Sequence, residues 1–177
     1  MNKLKHALTC LLSFYTISVI AQQSDSTKPQ IGKSPLIFVD SVQFNRTNLT
    51  KIKPGEIADI TVLSKKNAVD RFGEKAKDGV IYIETKTMAK SIYWRFLKSK
   101  SEDFTKDFPT PESDSLAQYI VDDKVLNLTK DNHEGTLTRI IRSNRFKAIK
   151  IITKTQLVRD YNVNGKQYGV LITTTRP

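Results

Sequence analysis

Few side chains in this sequence are of a kind that does chemistry at neutral pH. Its histidines are His6 and His133, and its only cysteine is Cys10. A Ser-His-Asp triad or another base-activated nucleophile would have to be built on His133, because histidine is the usual general base. His133 stands in the polar run DNHEG with no nucleophile motif beside it, so it reads as a solvated loop histidine. Beyond the N-terminal segment there is no cysteine, which excludes the usual His/Cys metal clusters and Cys–His pairs. Asp40 and Asp122 recur in matching Val-Asp pairs. Two carboxylates can share acid and base work, but aspartate also favours tight turns, and turn chemistry suffices for both. Glu84 is expected to alternate outward on a strand. Gly73, Gly79, Gly165 and Gly169 are too dispersed for a phosphate-cradling loop. Asn45, Asn48 and Asn127 open Asn-x-Thr sequons, which matter only in a glycosylating host. No catalytic, cofactor-binding or metal-binding residue is assigned, no cofactor is expected, and the chain reads as a non-enzyme.

The elements that would position such residues begin after a targeting segment. Lys3 and Lys5 precede an apolar run from Ala7 to Ile20, and Val19 and Ala21 stand at −3 and −1 of a cleavage site before Gln22. This is the three-part pattern of a secretory signal peptide over residues 1–21, and the run is short for a membrane span. Cys10 follows Thr9 too early in the run for a lipoprotein signal. Cleavage removes two lysines, no acid and the only cysteine, so the net charge of +11 falls by two. Without thiols the exported form has no disulfide framework and depends on a packed core. Lysines and arginines number 29 against 18 acids, but no block of five or more forms, which describes a solvated surface better than a polyanion tail. Residues 22–34 are polar with one proline, a tether rather than an element.

Three blocks then recur in order. Pro35 to Lys86 reads PLIFVDSVQF, then IADITVLSKKNAVDRFG, then DGVIYIETK; Ala117 to Arg176 reads AQYIVDDKVL, then AIKIITKTQLVRDYN, then YGVLITTTR. Val39 and Asp40 match Val121 and Asp122. Ile60, Val62 and Leu63 match Ile149, Ile151 and Ile152, and Gly79 is aligned with Gly169. The period marks an internal duplication. In each copy two β-rich runs flank a short turn at Asp40-Ser41 or Asp122-Asp123-Lys124. Pro54 opens a helical turn, where its missing N–H costs nothing. Asp59 to Leu63 is a strand. Ser64 then caps a helix with Ala68, Val69 and Phe72 on one face. Gly73, and Asn162 in the second copy, suit a left-handed C-cap. Asp78-Gly79 turns into the strand Val80 to Thr85.

The fold class is therefore α+β: two tandem units, each a β-hairpin, a helical turn and β-α-β, over residues 35–87 and 117–177. Units this small have thin cores. Residues 88–116 join them. Ile92, Tyr93, Phe96 and Leu97 form one helical stripe, expected to dock on the first unit, with membrane contact as the alternative. Asp107 to Ser115, DFPTPESDS, reads as a Pro-rich acidic linker that keeps the second unit separable.

These blocks resemble the plug domain of TonB-dependent outer-membrane receptors, closest to the glycan-uptake variety. Val39, Asp40, Ile60, Val62, Leu63, Phe72, Gly73, Ala76, Gly79, Val80, Ile83, Thr85 and Lys86 fall on that pattern, well over residues 35–86 and more weakly over 117–176. The resemblance implies a plug-like fold in the periplasm, or on the periplasmic face of the outer membrane, of a Gram-negative bacterium. Departures limit what carries over. The sequence ends at Pro177 after a strand, so two plug-like units without the barrel are expected. The apolar segment that engages the energy-transducing protein is absent from the mature N-terminus, and Ser41 and Asp123 replace the hairpin glycine. Transport is not carried over.

The leading expectation is a non-catalytic envelope module that binds another envelope protein or a glycan, not nucleic acid, with room for peripheral outer-membrane contact. The alternative is a basic module adhering to anionic wall or lipid polymers, which salt would weaken.

Overall fold

The computed structural model describes residues 31–128 and 132–175; the signal-like segment and residues 22–30 of the tether lie outside the described residues. The fold is mixed α+β, with two similar units. The first sheet contains β1 (Leu36–Val39), β2 (Val42–Gln43), β3 (Ile57–Leu63) and β4 (Val80–Thr85). The second contains β5 (Ala117–Val121), β6 (Lys124–Val125), β7 (Phe146–Thr153) and β8 (Tyr168–Thr174). Their strand orders are β2-β1-β4-β3 and β6-β5-β8-β7. In both, the hairpin strands are antiparallel, the central pair is parallel and the last pair antiparallel. Among the described residues five α-helices accompany the sheets: α1 (Lys65–Phe72), α2 (Lys86–Lys98), α3 (Glu102–Asp107), α4 (His133–Arg142) and α5 (Lys154–Tyr161).

The similarity of the two units extends to single hydrogen bonds. Asp40 and Ser41 have φ of 50° and 72°, and Asp122 and Asp123 have 46° and 64°, so both hairpins turn with two left-handed residues. That is the turn whose twist matches paired strands, made here without glycine. Each first aspartate is held in place from across the sheet. Thr85 donates its backbone N–H to Asp40 Oδ1 and its hydroxyl to Oδ2, both at 2.8 Å. Thr174 does the same for Asp122, at 2.8 and 2.5 Å. Four charge-assisted bonds thus tie the two turns to the ends of β4 and β8. The bulge recurs as well, between Ile57 and Asp59 and between Phe146 and Ala148.

This register corrects the alignment of Gly79 with Gly169. Leu36 pairs with Val80 and Gln118 with Gly169, so Gly169 corresponds to Val80, one residue further on. The two glycines do different work. Gly79 has φ 92° and turns the chain into β4, a conformation a side chain would strain. Gly169 lies within β8, where a Cβ would come 2.6 Å from Ile152 Cγ1 and 3.0 Å from Leu157 Cδ1. It is small because α5 packs on it.

Packing differs between the copies. On the first sheet α1 covers a small cluster of Ala68, Ala76 and Val80, ringed by Leu36, Phe38, Leu63, Phe72 and Tyr82. On the second sheet α5 covers Ile120 and Ile152 through Leu157. The opposite face of the second sheet carries the main core: Tyr119, Val170 and Ile172 meet Tyr93 and Leu97 of α2, Phe104 of α3 and Leu137 of α4. The stripe on α2 therefore docks on the second unit, not the first. Phe96 stands edge-on to Phe146 at 4.9 Å, and only Ile92 of the four faces a cavity shared with the first sheet. Tyr119, Val170 and Ile172 give the stripe a continuous apolar surface, and covering it removes the most apolar area from water.

The acidic, Pro-rich segment is not a separable linker either. Phe108 is fully buried, 4.7 Å from the Phe104 ring and 5.4 Å from Tyr168, and Trp94 Nε1 donates to its carbonyl at 3.1 Å. Pro111 then opens a 3-10 turn over Pro111–Leu116 that leads straight into β5.

Where the first copy has 3-10 turns at Arg46–Lys51 and Pro54–Glu56, the second has the ten-residue α4. Asn132 caps it by accepting from Gly135 N–H at 3.0 Å. The same side chain donates through Nδ2 to the Ala58 carbonyl of β3. Gly135 lets the helix approach, since a Cβ there would strike that same carbonyl oxygen. One turn on, Arg139 pairs with Asp59 at 2.9 Å, and Arg142 pairs with Glu84. α4 belongs to the second unit and is bolted to the first.

Candidate functional site

The densest group of titratable side chains lies inside the main core. Tyr93 donates its hydroxyl to Asp114 Oδ2 at 2.7 Å, Tyr119 donates to Oδ1, and Lys90 Nζ lies 3.6 Å from Oδ2. α2, the 3-10 turn and β5 thus meet on one carboxylate. Burial first, and the Asp114 charge second, push both tyrosines well above the usual phenol range, so they remain neutral donors.

His133 completes the group and corrects the sequence reading. It is the first residue of α4, only 8% exposed, with its ring stacked on Tyr119 at 5.9 Å. Its Nδ1 stands 3.3 Å from Glu134 Oε2, and neither atom has another polar partner. Burial lowers its pKa; the Glu134 and Asp114 carboxylates oppose that shift, and Lys90 and Lys86 reinforce it. The group contains an acid, a base and two phenols: the Asp114 carboxylate and both phenols spend their polar atoms on one another, and His133 joins them by ring stacking alone. Its chemistry is cohesion: satisfied donors around a buried charge fix how α2, β5 and α4 meet.

The surface clefts lie elsewhere. One of about 720 Å³ opens between the hairpin β5–β6 and α4. Lys124, Arg139 and Arg145 line it beside the hydroxyls of Thr136 and Ser143, over a floor of Val121, Leu126 and Ile140. Another, of about 540 Å³, lies where the first sheet meets α2 and α4, lined by Asp59, Tyr82, Glu84, Met88, Ile92 and Arg142 among others. Both volumes are in the range of small-ligand sites. Neither reaches Asp114, Tyr93, Tyr119 or His133.

Glu84 does not face outward as its strand position suggested. It is 7% exposed, tied to Arg142 through Oε2, and its Oε1 has no hydrogen-bond partner. The reason is α4, which covers a strand position that alternation alone would leave wet. Asp40 and Asp122 lie on separate sheets, each engaged by its own threonine, so they form no carboxylate pair. Of the sequons, Asn45 accepts from Thr47 N–H at 3.0 Å and caps its 3-10 helix.

Asp114, Tyr119 and Glu134 were not singled out from sequence, and Tyr93 was read only as part of an apolar stripe. A signal for α4 was present: Asn132 as a cap followed by Leu137, Ile140 and Ile141 at helical spacing. Nothing local marks Asp114 as buried. Among the described residues, no helix is long and apolar enough to cross a membrane, and no group of three or more His, Cys, Asp or Glu is placed to hold a metal ion. No protein-family model, curated protein or solved structure matches the chain.

Proposed function

We propose that the chain is an exported, non-catalytic module of the cell envelope, built of two plug-like units, that binds another envelope protein or a glycan. The supporting observation is how polar chemistry is distributed. The acid, base and phenols best suited to proton transfer are locked in the core around Asp114. What faces solvent are clefts of mixed charge and hydroxyls where hairpin, helix and sheet meet. Convergent polar groups in such clefts fix the orientation of a bound partner by hydrogen bonds. The second reading, adhesion to anionic wall or lipid polymers, is favoured by Lys124, Arg139 and Arg145 in one cleft and by the excess of basic residues, a net charge of +11 over the full sequence.

Photo-crosslinking of the full chain in intact envelopes, followed by mass spectrometry, separates them. Discrete partners captured equally at low and high salt are expected for the module. Capture that disappears at high salt would favour the adhesive, and no capture at either salt would refute both.

A further inference from the structure

The copies differ most at the strand that ends each sheet. β3 and β7 occupy the same edge position, and both leave their outer backbone groups without a ladder partner. Edge strands invite pairing with another chain, and charges on the strand, lysine above all, are the common guard. β7 has that guard: Lys147 and Lys150 are both exposed, and Ile149 is turned into the main core. β3, IADITVL, has no cation. Its one charge, Asp59, is taken by Arg139, and Ile60 is 54% exposed.

The outward groups of β3 follow from the register. Asp40 N–H donates to the Ile83 carbonyl and Leu36 N–H to that of Gly79, so these alternate carbonyls of β4 point to β1. Val80, Tyr82 and Glu84 then face β3 and pair with Leu63, Thr61 and Asp59. That leaves Ala58, Ile60 and Val62 pointing away from the sheet. Asn132 occupies the Ala58 carbonyl. Ile60 and Val62 open onto a groove of about 650 Å³ walled by Arg139, Arg142 and Ser143 of the neighbouring unit.

Resting on the reading of the chain as a binding module, we infer that this edge takes an extended peptide segment as a fifth strand of the first sheet, with apolar and acidic residues alternating along it. Backbone bonds to Ile60 and Val62 supply register, as in other strand additions. Side chains of neighbouring strands share faces, so one row of the incoming segment lies beside the side chains of Ile60 and Val62 and must be apolar. The other row lies on the face of Asp59 and Thr61, below Arg139 and Arg142. Each guanidinium uses only Nη2 on its own acid, and their side chains are 65% and 51% exposed, which leaves donors for carboxylates on the incoming strand. A second copy of the chain fits poorly. Two chains of charge +11 repel, and β3 has no free acid to offer the facing arginines.

The full-length chain, ¹⁵N-labelled, is titrated with two amidated hexapeptides, one alternating valine with glutamate and one alternating valine with lysine. The acidic peptide is expected to slow amide exchange at Ile60 and Val62 by about tenfold or more. It should leave Ile149 and Ile151 on β7 unchanged, and the lysine peptide should bind about tenfold more weakly or worse. Ile60→Pro removes an outward N–H that the sheet does not use. Ile60→Glu keeps that N–H and adds a repelling charge at an exposed site, so it carries the test if the proline variant fails to fold. Each is expected to weaken binding about tenfold without moving the thermal melt. Unchanged exchange at Ile60 and Val62 with the acidic peptide, or binding by Ile60→Glu equal to the parent's, overturns the inference. If envelope crosslinks persist in Ile60→Glu, only the edge assignment falls; if the parent also captures nothing, the binding module itself falls.

Discussion

The first sheet rests on Ala68, Ala76 and Val80, whereas the second is covered on both faces and shares its main core with α2, α3 and α4. One topology, one pair of turns and one pair of Asp–Thr clamps are common to both. The difference lies in what was placed between and within the copies. The segment after β4 supplies the stripe and the buried aspartate, and α4 replaces two 3-10 turns. The two similar units are thus asymmetric: the second holds more of the buried hydrophobic residues than the first, and the first leans on it and exposes an edge. Burying a large side chain contributes roughly 1.5–3 kcal/mol, so the unequal cores imply unequal local stability.

The sharpest way to break this asymmetry is at Asp114, which has no counterpart in the first copy. Asp114→Ala leaves two buried phenols without their acceptor and is expected to cost about 3–5 kcal/mol in chemical denaturation. A loss below about 1 kcal/mol would mean that the tyrosines repair their bonds with water and the network is not what joins α2 to β5.

Next come the two glycines once aligned with each other. Gly169→Ala is expected to cost about 1–3 kcal/mol by overpacking against Ile152 and Leu157. Gly79→Ala is expected to cost about 1–3 kcal/mol through its positive φ instead. The mechanisms separate on a second change. Ile152→Ala, which removes the Cγ1 and Cδ1 that crowd Gly169, should make the first substitution cost less in its background and leave the cost of the second unaltered. Equal relief of both would return Gly169 to the turn role that Gly79 plays.

The smallest effect is with pH. Burial keeps the His133 pKa below its ordinary 6.5, so under acid the unfolded chain binds a proton that the folded chain refuses. The stability from this group is full above about pH 6.5 and declines as pH falls below it. Denaturation midpoints between pH 5 and 7 should therefore drop on the acid side, and less so in His133→Phe. A variant with the parent's slope would assign the pH dependence to other groups.

What the sequence disclosed and what it withheld divide along contact range. The turns at Asp40 and Asp122, the left-handed cap at Asn162 and the positive φ at Gly73 and Gly79 are all local, and residue type alone announced them. Period-2 and helical patterns likewise exposed both units. The partner of the α2 stripe was not legible, because two apolar sheet faces competed for it and only their relative area decided. Glu84 and His133 were misread, and Asp114 was passed over within a segment read as linker, for one shared reason. Each is polar, each lies in a stretch that looks wet, and each is buried by an element distant in sequence: α4 over Glu84, Tyr119 over His133, and Tyr93 with Tyr119 over Asp114. The β3 edge could not be seen as unguarded until its counterpart on β7 was placed beside it.

Native-state hydrogen exchange on the full chain tests the asymmetry most directly, because it reads each sheet within the intact molecule. Amides of β8 and of α2 around Tyr93 and Leu97 should open together, at the free energy of global unfolding, while β1 and β4 amides open at least about 2 kcal/mol sooner. If α2 instead exchanges with β1 and β4, or both sheets open at one free energy, the stripe does not belong to the second unit and the two copies are energetic equals.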